Sequence, residues 1–161
     1  MIIREYKIED KDSCIEVFKS NCPKFFDKSE LDMFDKWLDH QVNENSIYKS
    51  PAYTNSERDA YYVIELPEFG IIGCGGFYIV KDQNEARLAW GMIHSKFHRQ
   101  GFGTVLYNYR SDIIKRDWPN YVLTLGTSQH TYSFYEKMGL AVIATVKCGY
   151  GEDLDRYDMQ K

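Results

Sequence analysis

A short run of basic residues and glycines lies between a predicted strand and a predicted helix. The run is His98-Arg99-Gln100-Gly101-Phe102-Gly103; the apolar segment Leu88 to Ile93 precedes it, and a helical pattern from Thr104 to about Lys115 follows it. Glycine lets the backbone approach a ligand closely, and the free N–H groups at a helix N-terminus favour negative charge. The segment therefore predicts a binding site for a phosphate-bearing ligand.

Two common phosphate-binding motifs do not fit this segment. A P-loop requires a lysine after its last glycine, but Thr104 follows Gly103. A dinucleotide fingerprint requires a third glycine and an acidic residue on the next strand, and the predicted strand Tyr121 to Gly126 contains no acid.

The composition is that of a globular protein. The chain has 161 residues, of which 43% are hydrophobic and 16% aromatic, so we expect one domain over residues 1–161 with a buried core. A net charge of −4 argues against nucleic acid as a partner, although residues 96–116 are locally basic and suit a small anionic ligand.

The N-terminal residues, the apolar runs, the cysteines and the histidines bear on where the protein is located and whether it binds a metal. Charged residues begin at Arg4, earlier than in a signal peptide, and no apolar run reaches membrane-spanning length. We therefore expect a cytoplasmic protein without a membrane partner. The four cysteines predict free thiols, and the four histidines show no spacing typical of a metal site.

Hydrophobic periodicity predicts the element order β-α-α-β-β-β-α-β-α-β-β. The first helix is expected to begin after Asp10 or Asp12, and Ser29 is expected to cap the second. Glycines at 73, 75 and 76 within one strand predict a bulge or a close backbone approach. Residues 43–59 are polar and predict a long loop. The predicted strands are 2–8, 60–66, 71–80, 85–93, 121–126, 141–148 and 154–159, with later helices at 104–115 and 131–138.

A second segment, Thr131-Tyr132-Ser133-Phe134-Tyr135-Glu136-Lys137-Met138-Gly139-Leu140, sharpens the interpretation. Together with the glycine run and the element order, it resembles the GNAT superfamily of N-acetyltransferases over essentially the whole chain. In that family an R/Q-x-x-G-x-G/A motif holds the pyrophosphate of acetyl-CoA, and an F-Y-x-K-x-G-F segment lies near the thioester. The resemblance implies an α/β (α+β) fold with a mixed, mostly antiparallel central sheet and helices on both faces.

The same resemblance implies acetyl transfer from acetyl-CoA, as co-substrate, to a primary amine of a small molecule, peptide or protein. Tyr135 aligns with the tyrosine that protonates the departing sulfur. His98 stands where the family has Arg or Gln, and an imidazole can still donate to phosphate. The implied acetyl-CoA contacts are Met92, Ile93, His98, Arg99, Gln100, Gly101, Phe102, Gly103, Thr104 and Ser128.

The general base is left open, because the strand from Leu88 to Ile93 has no acid. His94 follows that strand and could act directly or through water, whereas Glu85 and Glu65 are more distant alternatives. A chain of water molecules to bulk solvent is another alternative.

The acceptor site is expected between the first two helices, the loop 43–59 and the strand edges. Phe26, Tyr78 and Trp90 are its candidate lining residues, with Trp90 facing either the cleft or the core. Phe25, Tyr53 and the turn Gly149 to Asp153 are further candidates for this end of the molecule.

Two other functions fit the residues. A non-catalytic acetyl-CoA-binding sensor would explain the missing strand acid and the altered His98, and an interaction protein would use the glycine run only as a turn. A homodimer through the sheet edge near the C-terminus also stays open.

Overall fold

The computed structural model describes residues 1–42 and 56–161. For residues 56 and 57 it describes the backbone only. Most of the predicted loop 43–59, and with it Tyr53, lies outside the described residues. The strands are β1 Ile2–Glu5, β2 Ser56–Leu66, β3 Gly70–Val80, β4 Glu85–Ile93, β5 Val122–Ser128, β6 Ala141–Gly151 and β7 Leu154–Gln160. The α-helices are α1 Lys11–Asn21, α2 Leu31–His40, α3 Phe102–Asp117 and α4 Tyr132–Lys137.

The seven described strands form one sheet in the order β1-β2-β3-β4-β5-β7-β6. Neighbouring strands run antiparallel except β4 and β5, which are parallel. Hairpins can join antiparallel strands, whereas the parallel pair needs a crossover, which α3 supplies. The prediction of a mixed, mostly antiparallel sheet is confirmed.

Helices cover both faces of this sheet. Side chains alternate along β2, so Tyr61 and Val63 pack with α1 and α2 on one face. Tyr62 packs on the opposite face with Tyr107 of α3. The chain therefore has two apolar layers with the sheet between them, as expected.

Local details of the helices differ from the prediction. Asp27, not Ser29, begins the second helical segment: its carboxylate accepts from the backbone N–H of Ser29, and the Glu30 carboxylate accepts from the backbone N–H of Asp27. The helix after the glycine run starts earlier than predicted, at Phe102. Its buried residues are Leu106, Tyr107, Arg110, Ser111 and Ile114. The apolar pattern of the sequence favours burial of Val105, Leu106, Tyr109 and Ile113, of which only Leu106 is buried.

The C-terminal hairpin also differs. The predicted turn at Gly149 to Gly151 is part of β6, with a register shift between Val146 and Gly151, and the chain turns at Glu152 and Asp153. Gly151 at this irregular end of β6 packs against Asp27, which lies in the segment between α1 and α2.

Candidate active site

A cleft opens where β4 and β5 separate. The two strands pair only from Glu85 to Arg87 on β4 with Val122 to Thr124 on β5. Beyond these residues lies a cavity of about 1480 Å³, lined by the second halves of both strands. Because the two strands no longer pair there, those backbone groups at this edge that have no partner within the described chain can bind a ligand.

A bulge in β4 shapes the centre of this cleft. Met92 pairs with Cys74 and Ala89 pairs with Gly76, so the single residue Gly75 of β3 lies opposite two residues of β4, Trp90 and Gly91. Trp90 has φ +48°, a rare conformation for a non-glycine residue. The glycines in β3 therefore mark an irregularity of the sheet, as predicted.

The glycine run forms an anion site at the N-terminus of α3. Arg99 and Gly101 both have positive φ, at +60° and +88°. Within the described chain, the backbone N–H groups of Arg99 to Thr104 find no hydrogen-bond acceptor. Unpaired N–H groups at the start of a 16-residue helix fit the pyrophosphate of a nucleotide cofactor.

The side chains of His98, Gln100 and Phe102 offer fewer groups to a phosphate-bearing ligand than the backbone of the glycine run does. The Nε2–H of His98 donates to the Ile93 carbonyl at 2.8 Å, which directs the ring back to the end of β4. The expected donation to phosphate is therefore unavailable from this nitrogen. Gln100 donates to the Lys96 carbonyl and Phe102 packs on Phe97, so neither side chain lines the cleft.

Two hydroxyl groups line the cleft on the side of β5 and α4. Ser128 is buried, and its Oγ has no partner in the structure. Tyr135 is also buried, its ring contacts Tyr107 and Phe134 at their edges, and its hydroxyl makes no hydrogen bond to the described residues. Both hydroxyls are thus free to bind a ligand in the cleft.

The structure does not bring the candidate bases of the sequence analysis into this cleft. His94 accepts from the Lys96 N–H, and burial together with the Lys96 charge lowers the pKa of its imidazole. Glu85 binds Thr124 and Arg87 at the paired end of β4. Glu65 forms an ion pair with Arg4 at the β1 edge.

Aromatic side chains line the opposite end of the cleft. Phe26 stacks on Trp90 with ring centroids 6.1 Å apart, and Tyr78 lies beside them in the lining. Trp90 also packs on Phe18 and Phe34 of the core. The sequence left open whether Trp90 faces the cleft or the core. The half-buried ring does both, since it contacts the core and lines the cleft.

The sequence analysis missed Glu30, a carboxylate in this aromatic region. Glu30 is 9% exposed and lines the cleft, and its Oε1 accepts from the Asp27 N–H at 2.9 Å. Burial, helped by the nearby Asp27 charge and opposed by this hydrogen bond, raises its pKa to about 7. The spacing Asp27-x-x-Glu30 is a capping-box pattern that could have revealed the residue.

A second missed residue is Arg110 of α3, which is 2% exposed and lines the cleft. Sequence reasoning could have found Arg110 from its position between Leu106 and Ile114 on the apolar face of the helix, because a cation on a buried helix face is unusual.

These features match a known family. Residues 15–140 match the model of the Acetyltransferase (GNAT) family. The chain belongs to this family. Its reaction is therefore acetyl transfer from acetyl-CoA to an amine, and the chain is an N-acetyltransferase. Among proteins of curated function, none matches the chain in sequence.

Solved structures share the fold at low identity. A ribosomal-protein-alanine N-acetyltransferase from Brucella melitensis is 15% identical with a TM-score of 0.73, covering 100% of this chain and 99% of its own. An aminoglycoside 6′-N-acetyltransferase complexed with coenzyme A is 17% identical with a TM-score of 0.71, covering 100% and 96%. The aminoglycoside 6′-N-acetyltransferase from Enterococcus faecium is 17% identical with a TM-score of 0.68, covering 100% and 96%.

The described residues contain neither a candidate metal site nor a candidate membrane-spanning helix. No group of three or more His, Cys, Asp or Glu side chains there could hold a metal ion. No helix there is long and apolar enough to cross a membrane.

Proposed function

We propose that acetyl-CoA binds along the cleft with its pyrophosphate on the backbone N–H groups of Arg99 to Thr104. The unpaired N–H groups and the exposed, unpaired Arg99 support this placement. The pantetheine arm then follows the separating edge of β4 at Met92 and Ile93, and the Ser128 hydroxyl binds it from β5. The free Ser128 Oγ is the observation in favour of this contact.

Tyr135 is the proposed general acid of the reaction. Its hydroxyl is free, and the ring lies in the cleft on the side of β5. A phenol stays protonated near neutral pH and can donate to a thiolate, so Tyr135 would protonate the departing sulfur. The free hydroxyl of a tyrosine in the cleft is the single observation that carries this proposal.

Glu30 is the proposed partner of the acceptor amine. The carboxylates in the cleft lining are Glu30 and Asp158, and Asp158 already forms an ion pair with Arg156. Glu30 forms no ion pair within the part of the chain that the structure describes, and a carboxyl with a pKa of about 7 can take a proton from an ammonium near neutral pH. We therefore replace His94 by Glu30 as the candidate base.

The acceptor itself is proposed to be a primary amine next to an apolar or aromatic group. Phe26 and Trp90 form a stacked aromatic pair in the same cleft lining as Glu30, and such pairs bind flat or cationic groups. The solved structures above include enzymes named for aminoglycoside and protein-alanine acceptors. A panel of an aminoglycoside, a polyamine, an alanyl peptide and an arylalkylamine would separate these classes.

Two further proposals concern the location of the protein and its oligomeric state. The four free thiols, together with the use of acetyl-CoA, favour the cytoplasm. Among the described strands β6 lies at the sheet edge and exposes Ile143 and Val146, which favours a homodimer there. Light scattering of the purified protein would measure the oligomeric state.

The principal experiment compares Tyr135→Phe with the wild type in a CoA-release assay on the best amine of the panel. We expect kcat to fall about 100-fold while the Kd for acetyl-CoA, measured by calorimetry, stays within about threefold. Tyr132→Phe is the matched control, because that ring stacks on Tyr157 outside the cleft. Equal kcat for Tyr135→Phe and wild type would refute the proposed role of Tyr135.

A further inference from the structure

Arg110 is a buried cation that the proposed reaction has not yet used. Its Nε donates to the Leu106 carbonyl of its own helix at 3.1 Å, and its Nη1 donates to the Gly76 carbonyl of β3 at 3.1 Å. No hydrogen bond holds Nη2, and no carboxylate of the described chain forms an ion pair with the guanidinium. The side chain also belongs to the lining of the cleft.

Two glycines on adjacent strands make room for this guanidinium at the β4 bulge. A Cβ atom added to Gly91 would lie 2.9 Å from Arg110 Nη2 and 3.0 Å from Nη1. A Cβ atom added to Gly75 would lie 3.0 Å from Nη1. The guanidinium therefore lies flat against the backbone at the point where the strand is irregular, and this placement needs both glycines.

The charge of Arg110 requires an explanation, because burying a cation without a carboxylate destabilises a fold. Neutral carbonyl groups satisfy Nε and Nη1 but leave the positive charge without a counter-charge. The cleft beside Gly91 is the direction from which an anionic group can approach Nη2. A negative charge that forms only during the reaction is a suitable partner for a fixed buried cation.

We propose that Arg110 faces the thioester of acetyl-CoA and stabilises the negative charge that develops on its oxygen and sulfur. In the transfer, a bond forms between the amine nitrogen and the acetyl carbon, and the carbon–sulfur bond breaks with its electron pair staying on sulfur. Glu30 passes the first proton of the ammonium to solvent before the attack and takes the second N–H proton as the amide forms, and Tyr135 gives the sulfur its proton. Arg110 keeps all its protons and acts by charge alone. This inference rests on the proposed placement of the thioester beside Tyr135.

The first test measures the thiol of bound CoA, without any turnover. The thiolate absorbance of the protein–CoA complex is titrated with pH, with the desulfo-CoA complex subtracted to remove the protein's own tyrosines and cysteines. A cation within about 4–6 Å lowers the pKa of an acid by roughly one unit or more. We expect the thiol pKa to be at least about one unit lower in wild type than in Arg110→Met, with Arg110→Lys between them.

The second test uses kinetics and a variant that leaves Arg110 in place. Arg110→Met is expected to lower kcat about 100-fold with little change in the KM for acetyl-CoA. Gly91→Ala acts first on the guanidinium, because the three atoms nearest to the added Cβ all belong to Arg110. Gly91→Ala should therefore lower kcat in the wild-type background and have no further effect in the Arg110→Met background.

The outcomes separate this inference from the proposed function. An equal thiol pKa in wild type and a folded Arg110→Met, or unchanged kcat, would overturn the role of Arg110. If Tyr135→Phe still lowers kcat in that case, the placement of the thioester stands and only Arg110 is excluded. If neither variant lowers kcat, the placement itself is wrong. Should Arg110→Met fail to fold, the thiol pKa of Arg110→Lys and Gly91→Ala decides the question.

Discussion

The buried carboxyl of Glu30 predicts a specific pH dependence of stability. Because its pKa is raised to about 7 in the folded protein from an ordinary value of 4.5, the folded state binds this proton more tightly than the unfolded state. Its contribution to stability is therefore present below pH 4.5 and is lost as pH rises through about 7. At about 1.4 kcal/mol per pH unit, the loss amounts to about 3 kcal/mol.

Glu30→Gln isolates this effect. The amide keeps an oxygen that can accept from the Asp27 N–H, but it cannot ionise. We expect the variant to gain about 3 kcal/mol relative to wild type between about pH 4 and pH 8, measured by urea unfolding at both values. Asp32→Asn, which removes an exposed carboxylate of α2, controls for the loss of one negative charge.

A stability difference between Glu30→Gln and wild type that does not change with pH would refute this reasoning. The same variant also tests the proposed catalytic role. If Glu30 takes the amine proton, the decline of kcat/KM below about pH 7 should disappear in Glu30→Gln and the rate should fall. A retained acid limb would assign the base to another group.

Three further predictions concern other parts of the chain. Ser128→Ala should leave the unfolding free energy of the free protein nearly unchanged, since its Oγ has no partner, but raise the Kd for acetyl-CoA about fivefold in calorimetry. Asp10→Asn should lower the free energy of unfolding, measured with urea, by about 2 kcal/mol at neutral pH and by much less at low pH. Burial raises the pKa of Asp10, but hydrogen bonds from Arg4 and the Lys7 N–H outweigh burial and lower this pKa. The contribution of Asp10 to stability is therefore lost as the pH falls. Gly76→Ala should destabilise by about 3 kcal/mol, because its Cβ would overlap the Ala60 carbonyl oxygen of β2; normal thermal unfolding of this variant would contradict the close approach.

The acetyl-CoA loop could be predicted from sequence because its chemistry is local. A glycine at position 101 permits the positive φ, and the N–H groups of the following turn are free whatever lies elsewhere in the chain. The periodicities of the strands and helices are local in the same sense, and β4 has the predicted bounds. The exceptions are residues whose faces depend on packing, such as the buried stripe of α3.

The interpretation of single polar side chains shows the limit of such reasoning. His98 was expected to donate to phosphate, yet its Nε2–H donates to the Ile93 carbonyl, which also accepts from Asn21 of α1. His94 follows the right strand but is not part of the cleft lining. A side chain's direction depends on acceptors that other segments bring close, and a single stretch of sequence contains no record of them.

The sequence by itself determined the fold class and the family resemblance, and it predicted the candidate loop for acetyl-CoA, since these follow from periodicity, glycine spacing and backbone groups. Only the tertiary structure decided the environment of the polar groups. It buries Glu30 in the lining of the same cleft as Trp90, and it places Arg110 against glycines of two other strands. The physical reason is that burial and charge separation, which change the chemistry of an ionisable group, depend on contacts between residues far apart in the chain.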